Sequence, residues 1–316
     1  RAYADQWAFL SRIERLSPDE VSEFAGGTHD RDDVPGVRVP ARDPDDPAPW
    51  ASPPSGRRTE AAIDAPLPES VGIVLGNQIY IDRTALPPAL VARLARLAAF
   101  QNPAFQAAQA MRLSTRGKPR VIACGELFAD HLALPRGCLD EARALLAHHG
   151  VGVELRDARE HGAPLDVRFQ GELTPAQAAA FEALRGFDTG VLAATTAFGK
   201  TVVAARLIAA RRTNTLVLVH RRHLMTQWVE RLHAFLDVDP DAIGTLGGGK
   251  RRTTGRIDVA VIQSLNRKGE VDDLVADYGQ VIVDECHHVS AVRFEAVAQA
   301  AKARYVLGLS ATVTRR

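Results

Sequence analysis

Between residues 171 and 316, short continuous apolar runs alternate with longer stretches of helical periodicity. The apolar runs are Val191–Ala194, Leu216–Val219, Ile257–Ile262, Val281–Val283 and Tyr305–Leu309. Continuous runs of this kind are typical of strands that are covered on both faces. The helical patterns between them lie at 201–212, 221–236, 264–277 and 290–302. The alternation predicts an α/β fold, a parallel sheet with helices on both faces.

Residues 71–170 predict a smaller α/β domain before it. Two short apolar runs, Val71–Leu75 and Gln78–Ile81, flank the turn dipeptide Gly76-Asn77. An amphipathic helix then opens at Pro87-Pro88, with leucines at i, i+4 and i+7: Leu90, Leu94 and Leu97. A strand, a helix and a strand follow, at Val121–Cys124, Leu139–His149 and Val151–Leu155. No catalytic constellation stands out here, so a structural spacer is one interpretation of this domain.

The pattern of the first 70 residues predicts a connector helix followed by a linker. Tyr3, Trp7 and Leu10 recur near helical spacing, which predicts a connector helix within 1–26. The segment 27–70 that follows is Pro-rich, since nine of the 18 prolines lie within residues 35–68. Such a composition predicts an extended or disordered linker.

Length and composition limit the classes of protein to which this chain can belong. The 316 residues are enough for two domains, with 46% hydrophobic and 24% charged residues. No apolar run reaches the length of about 18 residues that a membrane-spanning helix needs, and no signal peptide is evident. Three scattered cysteines argue against a disulfide framework and favour a reducing, cytoplasmic setting. Because the chain begins with Arg1, we expect it to be a piece of a longer protein.

Charge is unevenly distributed along the chain. The formal net charge is only +1, which argues against a protein that coats nucleic acid by bulk charge. Residues 200–256, however, hold 11 Lys+Arg against 4 Asp+Glu. This excess leaves room for a local basic face.

The sharpest chemical signal is the segment Ala194–Thr201, of sequence ATTAFGKT, between a predicted strand and a predicted helix. This is the context of a phosphate-binding loop, where backbone N–H groups and the helix N-terminus cradle phosphates. Lys200 would reach the β- and γ-phosphates, and the Thr201 hydroxyl would ligate Mg²⁺. Ala194 stands where the general pattern has glycine. The alternative is a plain helix start.

A second signal is the pair Asp284-Glu285, which ends an apolar strand. At the carboxyl end of a parallel strand these carboxylates could hold Mg²⁺ and polarise an attacking water. The alternative is an acidic strand end that caps a helix. A zinc site built from Cys286, His287 and His288 is disfavoured, because contiguous residues rarely converge on one ion. His148-His149 is likewise explained most simply as a helix C-terminus rather than a metal site.

Taken together, three segments resemble the motifs of superfamily 2 helicases, the DEAD/DEAH-type nucleic-acid-dependent ATPases: Ala194–Thr201, Asp284–His287 and Ser310–Thr312. The resemblance covers residues 171–316 and implies a RecA-like P-loop NTPase lobe that binds ATP and Mg²⁺. The Asp-Glu-Cys-His-His form resembles the repair and restriction branches, which favours DNA over RNA as the partner.

The resemblance also implies roles for single residues. Lys200, Asp284 and Glu285 would be catalytic, and Thr201 and Asp284 would hold the metal. Nucleotide contacts would come from Gln177 and from the loop residues Thr195, Thr196, Ala197, Phe198, Gly199, Lys200 and Thr201. Ala197 stands where many relatives have glycine. Gln177 would read the adenine, although Thr174-x-x-Gln177 is also a capping box.

Two further segments, Val219–Leu224 and Val261–Leu265, resemble the motifs that touch the nucleic-acid backbone. They imply backbone contacts from Arg221, Arg222, Gln263 and Ser264, whereas the alternative for the two arginines is a solvated helix start. Ser310 and Thr312 would couple the nucleotide and nucleic-acid sites.

Other features of these segments are explained without a ligand. Leu224, Trp228 and Leu232 are spaced by four, so Trp228 is expected in the core rather than as a base-stacking platform. Residues 247–252 predict a mobile turn, or alternatively a basic loop that tracks a backbone.

Two stretches, Trp7–Leu16 and Leu134–Leu139, resemble the region between primase and helicase in bacterial TOTE conflict-system proteins. This implies an upstream primase-like domain outside the given sequence. The resemblance to superfamily 2 helicases implies a second RecA-like lobe, and it implies a duplex- or damage-sensing module at residues 71–170 as the alternative to a structural spacer. The function expected is ATP-dependent movement along nucleic acid. Two alternatives stay open: an ATP-gated nucleic-acid-binding module, and a motor subunit of a restriction or defence complex.

Overall fold

The computed structural model describes residue 63 and residues 65–195, 197–267, 270–286 and 292–311. The predicted connector helix (1–26) and nearly all of the predicted linker (27–70) lie outside these residues. The described part contains a five-stranded and a seven-stranded sheet. Among the described residues, no helix combines the length and the apolar character needed to cross a bilayer.

An N-terminal unit (residues 70–157) is built on the five-stranded sheet, in the order β5-β6-β2-β1-β7. Its strands and those of a small β3-β4 ribbon are β1 (Ser70–Leu75), β2 (Ile79–Asp82), β3 (Ala99–Gln101), β4 (Val121–Ala123), β5 (Glu126–Leu127), β6 (His131–Leu134) and β7 (Gly152–Asp157). Its helices are α1 (Pro88–Arg96), α2 (Pro103–Ala110) and α3 (Leu139–His148). The β1–β2 hairpin, the helix from Pro88 and the strand parallel to β1 agree with the sequence prediction.

One face of this sheet carries the core of the unit. Val71, Ile73 and Leu75 alternate along β1 and pack with Leu90 and Leu94 of α1. The residues between them on β1 are more exposed, as expected for a sheet that is covered on one face.

A C-terminal unit (residues 175–310) is built on the seven-stranded sheet, in the order β11-β10-β12-β9-β15-β16-β8. The strands of this sheet and of a β13-β14 ribbon are β8 (Thr189–Ala193), β9 (Thr215–Val219), β10 (Ile243–Gly247), β11 (Lys250–Arg252), β12 (Ile257–Val261), β13 (Asn266–Arg267), β14 (Glu270–Val271), β15 (Gln280–Val283) and β16 (Tyr305–Ser310). Its helices are α4 (Pro175–Arg185), α5 (Lys200–Arg211), α6 (Arg222–Phe235), α7 (Ile262–Leu265) and α8 (Val292–Ala300).

Six of the seven strands pair in parallel, and only the edge strand β11 is antiparallel. Alternate residues of each central strand serve two different cores. Val217 and Ile282 pack with α5 and α6 on one face, whereas Leu216 and Val281 pack with α8 on the other. The predicted parallel sheet with helices on both faces is therefore confirmed.

The predicted helix over 264–277 is wrong. The chain forms only the short α7, then the β13–β14 ribbon, and then a 3₁₀ turn at Asp273–Ala276. The Asp272 carboxylate accepts a hydrogen bond from the Leu274 amide at 3.1 Å, which starts that turn afresh. Side-chain capping at this point competes with a continuous helix.

The hairpin β10–β11 is absent from the sequence prediction, which had a mobile turn or basic loop at 247–252. The glycines at 247–249 suggested a turn, yet Gly244 and Gly247 both lie in β10. A Cβ atom on Gly244 would lie 1.8 Å from an Asp258 carboxylate oxygen, so glycine allows the close approach of the strands there.

A buried polar cluster holds the amino ends of the central strands together. The Asn214 side chain accepts from the amides of Ala163 (3.1 Å) and Gly279 (3.0 Å). It also donates to the carbonyls of Gly255 (3.1 Å) and Asp277 (3.0 Å). One amide thus satisfies four backbone groups that lie before β9, β12 and β15.

The two units meet at the end of α8. The Asn77 side chain donates to the Gln299 carbonyl at 2.7 Å. The Arg136 guanidinium donates to the carbonyls of Ala303 (2.7 Å) and Ala301 (3.0 Å). Carbonyls at a helix C-terminus carry partial negative charge, so a guanidinium is a favourable partner for them.

We predict that Asn214→Ala destabilises the chain by about 2–4 kcal/mol, because it leaves several buried backbone groups without a partner. Urea unfolding followed by circular dichroism measures this as a lower transition midpoint. Gln227→Ala, at an exposed position on α6, is the control and should leave the midpoint unchanged. Equal midpoints for the two variants would contradict the assigned role of Asn214.

Candidate nucleotide-binding site

The sheet brings the predicted motifs to one edge. Ala194 follows β8, Ser310 ends β16 and Asp284 follows β15, and these are three adjacent strands. Because parallel strands all end at the same edge, their carboxyl-terminal residues lie side by side, with neighbouring strands about 4.8 Å apart. Arg221 and Gln263 follow the next strands, β9 and β12. The nucleotide motifs and the predicted nucleic-acid motifs thus occupy two ends of one edge.

The loop 194–199 turns from β8 into α5. Gly199 is the N-cap of α5 with a φ of 84°, in the left-handed region that favours glycine. Ala197 has a φ of 68°, also left-handed, which is the position where relatives were expected to have glycine. The alanine therefore keeps the turn but costs about 1–2 kcal/mol of backbone strain. Thr196 lies outside the described residues.

The Lys200 side chain folds back over this loop. Its Nζ donates to the carbonyls of Ala194 (2.9 Å) and Thr195 (3.2 Å). Gly199 has no side chain to accept from the first-turn amides of α5. The Val202 amide donates to the Gly199 carbonyl at 2.9 Å, so the amides of Lys200 and Thr201 are the ones that can serve an anion. A lysine and a helix N-terminus at one turn are a pair that can bind phosphate.

Gln177 forms the capping box that its sequence position suggested, and it makes a second contact that the sequence analysis did not predict. Its backbone amide is bonded to the Thr174 hydroxyl at 3.3 Å, and its Oε1 accepts from the Thr174 amide at 3.0 Å, which forms the capping box. Its Nε2 donates to the Phe198 carbonyl at 2.8 Å. Gln177 therefore fastens α4 to the loop and is itself buried.

Asp284 is held by a partner that the sequence analysis assigned only to the core. The indole Nε1 of Trp228 donates to Asp284 Oδ2 at 2.8 Å, while the Glu285 amide donates to Oδ1 at 3.1 Å. Trp228 is 3% exposed and lies in the core, as expected. A buried indole N–H needs an acceptor. The Asp284 carboxylate at the end of β15 was the signal in the sequence that could have identified it as the partner of Trp228.

The pKa of Asp284 is raised above its usual value, chiefly because burial disfavours the charged form. The Trp228 hydrogen bond opposes this rise, and the Glu285 charge adds to it. The ammonium of Lys200 lowers the pKa of Asp284 through its charge, which places the two groups in one electrostatic environment.

Glu285 lies beside Asp284 with a φ of 50°, a strained value for a residue with a side chain. Cys286 packs against β16, where a Cβ on Gly308 would lie 3.0 Å from its Sγ. His287 and His288 lie outside the described residues. Within the described residues, no three His, Cys, Asp or Glu side chains cluster as a metal site.

The residues present suit Mg²⁺ bound together with a phosphate. Mg²⁺ takes oxygen ligands and keeps several waters, so one carboxylate and one hydroxyl beside substrate phosphates are enough. Asp284 is oriented through both of its oxygens. Thr201 is half-buried in the first turn of α5. The two residues therefore fit as its protein ligands.

Ser310 joins the loop through the backbone. Its carbonyl accepts from the Ala194 amide at 3.0 Å, at the first residue after β8. The Ser310 side chain is buried. The predicted coupling residue thus lies directly against the start of the loop, whereas its companion Thr312 lies outside the described residues.

The predicted nucleic-acid residues take different positions. Arg221 is exposed at the N-cap of α6. Arg222 lies against the β10–β11 turn, since a Cβ on Gly248 would lie 2.7 Å from its Cζ. Gln263 is exposed and donates to the His220 carbonyl at 3.3 Å, which joins the ends of β12 and β9. Ser264, the residue after Gln263, lines a cavity of about 560 Å³ that the other three residues do not line.

Much of the basic charge near these residues is paired. Arg251 forms an ion pair with Asp272, and Arg252 forms one with Asp241. Only Lys250 of the β11 cations has no ion pair within the described residues. The alternative of a basic loop at 247–252 is weakened by this pairing.

The amino-acid sequence of this chain is similar to a protein family and to several known proteins. Residues 170–315 match the family model described as "Type III restriction enzyme, res subunit". The DNA 3'-5' translocase XPB2 of Sulfurisphaera tokodaii is 33% identical over 144 residues, which are 46% of this chain and 31% of that protein. The putative DNA 3'-5' helicase Rad25 of Halobacterium salinarum is 34% identical over 170 residues, 52% of this chain and 28% of that protein. The chain thus spans about a third or less of the length of these curated relatives.

A solved structure resembles more of the chain. The UvsW helicase from bacteriophage T4 aligns with 77% of this chain and 93% of its own, at a TM-score of 0.56 and 15% identity. The aligned share exceeds that of residues 171–316, so the similarity of fold extends into the N-terminal unit.

We predict that Trp228→Phe weakens Mg²⁺-dependent nucleotide binding by about tenfold, because it keeps the ring but removes the N–H that orients Asp284. The measurement is a Mg²⁺ titration at a fixed concentration of fluorescent ATP analogue. Nucleotide binding in EDTA should be unchanged, and a retained thermal transition is the control for folding. An unaltered Mg²⁺ requirement would show that the indole N–H does not position the carboxylate.

Proposed function

Because residues 170–315 form an ATP-binding domain of the superfamily 2, DEAD/DEAH helicase type, we propose that the chain is part of an ATP-dependent nucleic-acid motor. The domain boundaries proposed are 71–170 for the accessory domain and 171–316 for the ATP-binding lobe. The observation that carries the proposal is the strand order β15-β16-β8, which sets Asp284, Ser310 and the phosphate loop side by side.

We propose the following division of work among the nucleotide-site residues. Lys200 exchanges its two loop carbonyls for the β- and γ-phosphates. Thr201 and Asp284 hold Mg²⁺, which when bound neutralises charge on the phosphates. Glu285 orients the attacking water, and Gln177 recognises the adenine from its position between α4 and the loop. Trp228 keeps the Asp284 carboxylate in place.

The partner proposed is nucleic acid, with DNA favoured over RNA. Relatives named for DNA helicase and translocase activity support this choice. Arg221, Arg222 and Gln263 would contact the backbone, since cations and amides suit phosphate oxygens and carry no sequence information. Ser264 is a weaker candidate because it lines a cavity to which Arg221, Arg222 and Gln263 do not contribute. An upstream primase-like domain and a bacterial source stay predictions.

A motor subunit of a restriction or defence complex is the second candidate. It is favoured by the description of the matching family model, which names a restriction-enzyme subunit. Under this alternative the chain would still bind and hydrolyse ATP, but cleavage would come from another protein or segment. The ATP site described here is shared by both candidates.

We predict that Lys200→Ala weakens binding of MgATPγS by at least about tenfold, because the charge-assisted contacts to phosphate are lost. Isothermal calorimetry of the chain, with and without a single-stranded DNA oligonucleotide, measures this. Lys302→Ala, an exposed lysine of the same lobe, is the matched control. Equal affinities of the Lys200 variant and wild type would rule out the phosphate loop. A DNA-dependent gain in nucleotide affinity would show coupling between the two sites.

We predict that this chain alone binds MgATP, hydrolyses it slowly and does not unwind duplexes. The second RecA-like lobe of such motors supplies an arginine that can raise the rate by about 10³–10⁵ in phosphoryl transfer, and residues 171–316 make up one lobe. Steady-state phosphate release and a strand-displacement assay measure the two activities, with Glu285→Gln as the hydrolysis control. Strong unwinding by wild type would contradict this prediction.

A further inference from the structure

A pocket of about 450 Å³ lies beside α5, apart from the phosphate loop. Its lining includes three arginines, Arg168, Arg206 and Arg212, and a single carboxylate, Asp166. Arg206 is six residues beyond Lys200 on the same helix, which is roughly 9 Å along the axis. None of the residues assigned to nucleotide or nucleic acid lines this pocket.

The guanidinium of Arg206 is held in place by aromatic rings. Its Cζ lies 5.0 Å from the ring centroid of Phe181 and 5.6 Å from that of Phe169. Phe169 is itself stacked on Phe235, with the centroids 6.1 Å apart and the planes 8° apart. A guanidinium stacked on rings keeps its N–H donors, which are arranged to match an oxyanion. Arg206 is thus pre-organised for a ligand in the pocket.

The backbone that carries Arg168 is also fixed. The Asp237 amide donates to the Arg168 carbonyl at 2.9 Å, and the Gln170 amide donates to the Phe235 carbonyl at 2.7 Å. These bonds tie residues 168–170 to the end of α6. The Arg168 side chain is exposed on this anchored segment.

The charge of the pocket favours an anion. Asp166 pairs with Arg212 at 2.9 Å, but the two side chains are 84% and 65% exposed. Exposed pairs of this kind contribute at most about 1 kcal/mol, so an incoming anion can displace the carboxylate. Three guanidinium groups against one carboxylate leave two positive charges in excess.

We propose that this pocket is a second phosphate-binding site, with Arg206 and Arg168 as its main contacts and Arg212 as an additional one. The ligand is a phosphate group, supplied either by a nucleic-acid backbone or by a free phosphate compound. Arginine suits phosphate because its planar fork donates two parallel hydrogen bonds.

The test uses the Lys200→Ala chain as background, so that the phosphate loop does not contribute. Pyrophosphate and a single-stranded dT oligonucleotide are titrated by calorimetry at fixed ionic strength into this background and into its Arg206→Met and Arg168→Met derivatives. Arg185→Met is the matched control, since Arg185 also lies over Phe181, at 5.9 Å, but does not line the pocket.

We expect both pocket variants to bind at least one probe about tenfold more weakly, with no change in the Arg185 variant. Weaker pyrophosphate binding alone identifies a free phosphate compound as the source. Weaker oligonucleotide binding, with a salt dependence reduced by about 0.7 in log–log slope per lost contact, identifies the nucleic-acid backbone. Exposed Arg168 keeps the test valid if Arg206→Met unfolds the chain. Affinities that are the same in background, pocket and control variants, or no binding of either probe to the background, would overturn the proposal.

Discussion

The common direction of six strands is the constraint on which the rest of the C-terminal unit depends. Each strand begins at one edge and ends at the other, so polar residues that follow apolar runs far apart in sequence meet at the carboxyl edge. At the opposite edge, Asn214 ties the chain before β9, β12 and β15 into one network. That network fixes the relative heights of the strands. At the carboxyl edge, Lys200 follows β8 and Asp284 follows β15, and the charge of Lys200 lowers the pKa of Asp284.

Burial of Asp284 has two opposite consequences. Loss of solvent disfavours its charged form, yet the same loss strengthens every interaction that its charge makes. The Trp228 indole and the Glu285 amide each donate to one of its oxygens, so the carboxylate is oriented before any ligand arrives. A tryptophan on the core face of α6 therefore belongs to the site as much as to the core, because one end of its side chain packs and the other donates.

The elements that carry the candidate site agree with the sequence prediction, whereas two elements at the periphery of the sheet do not. The loop 194–201 and the Asp284 strand could be identified because a strand, a polar turn and a helix are each local patterns. The prediction of a helix over 264–277 was wrong because it rested on apolar spacing alone. It did not take into account the Asp272 side chain, which caps a new turn. Strand β10 was not predicted. Its glycines allow the close approach of β12, and a contact between two strands leaves no local pattern in the sequence. Trp228 was placed correctly in the core, but its bond to Asp284 joins residues 56 apart in sequence.

The N-terminal unit contacts the C-terminal unit at the amino edge of the seven-stranded sheet. Helix α8 runs between β15 and β16 and therefore ends at the amino edge of the sheet, opposite Asp284. Burial lowers the pKa of Arg136 to about 10, so its guanidinium is still charged at neutral pH when it meets the carbonyls beyond α8. Without Arg136 these buried carbonyls would lack a hydrogen-bond partner. The cost of leaving them unpaired therefore stabilises the contact between the N-terminal unit and the end of α8. Because α8 links the strand of Asp284 to the strand of Ser310, the N-terminal unit is attached to the element that joins the two motifs, at the edge opposite them.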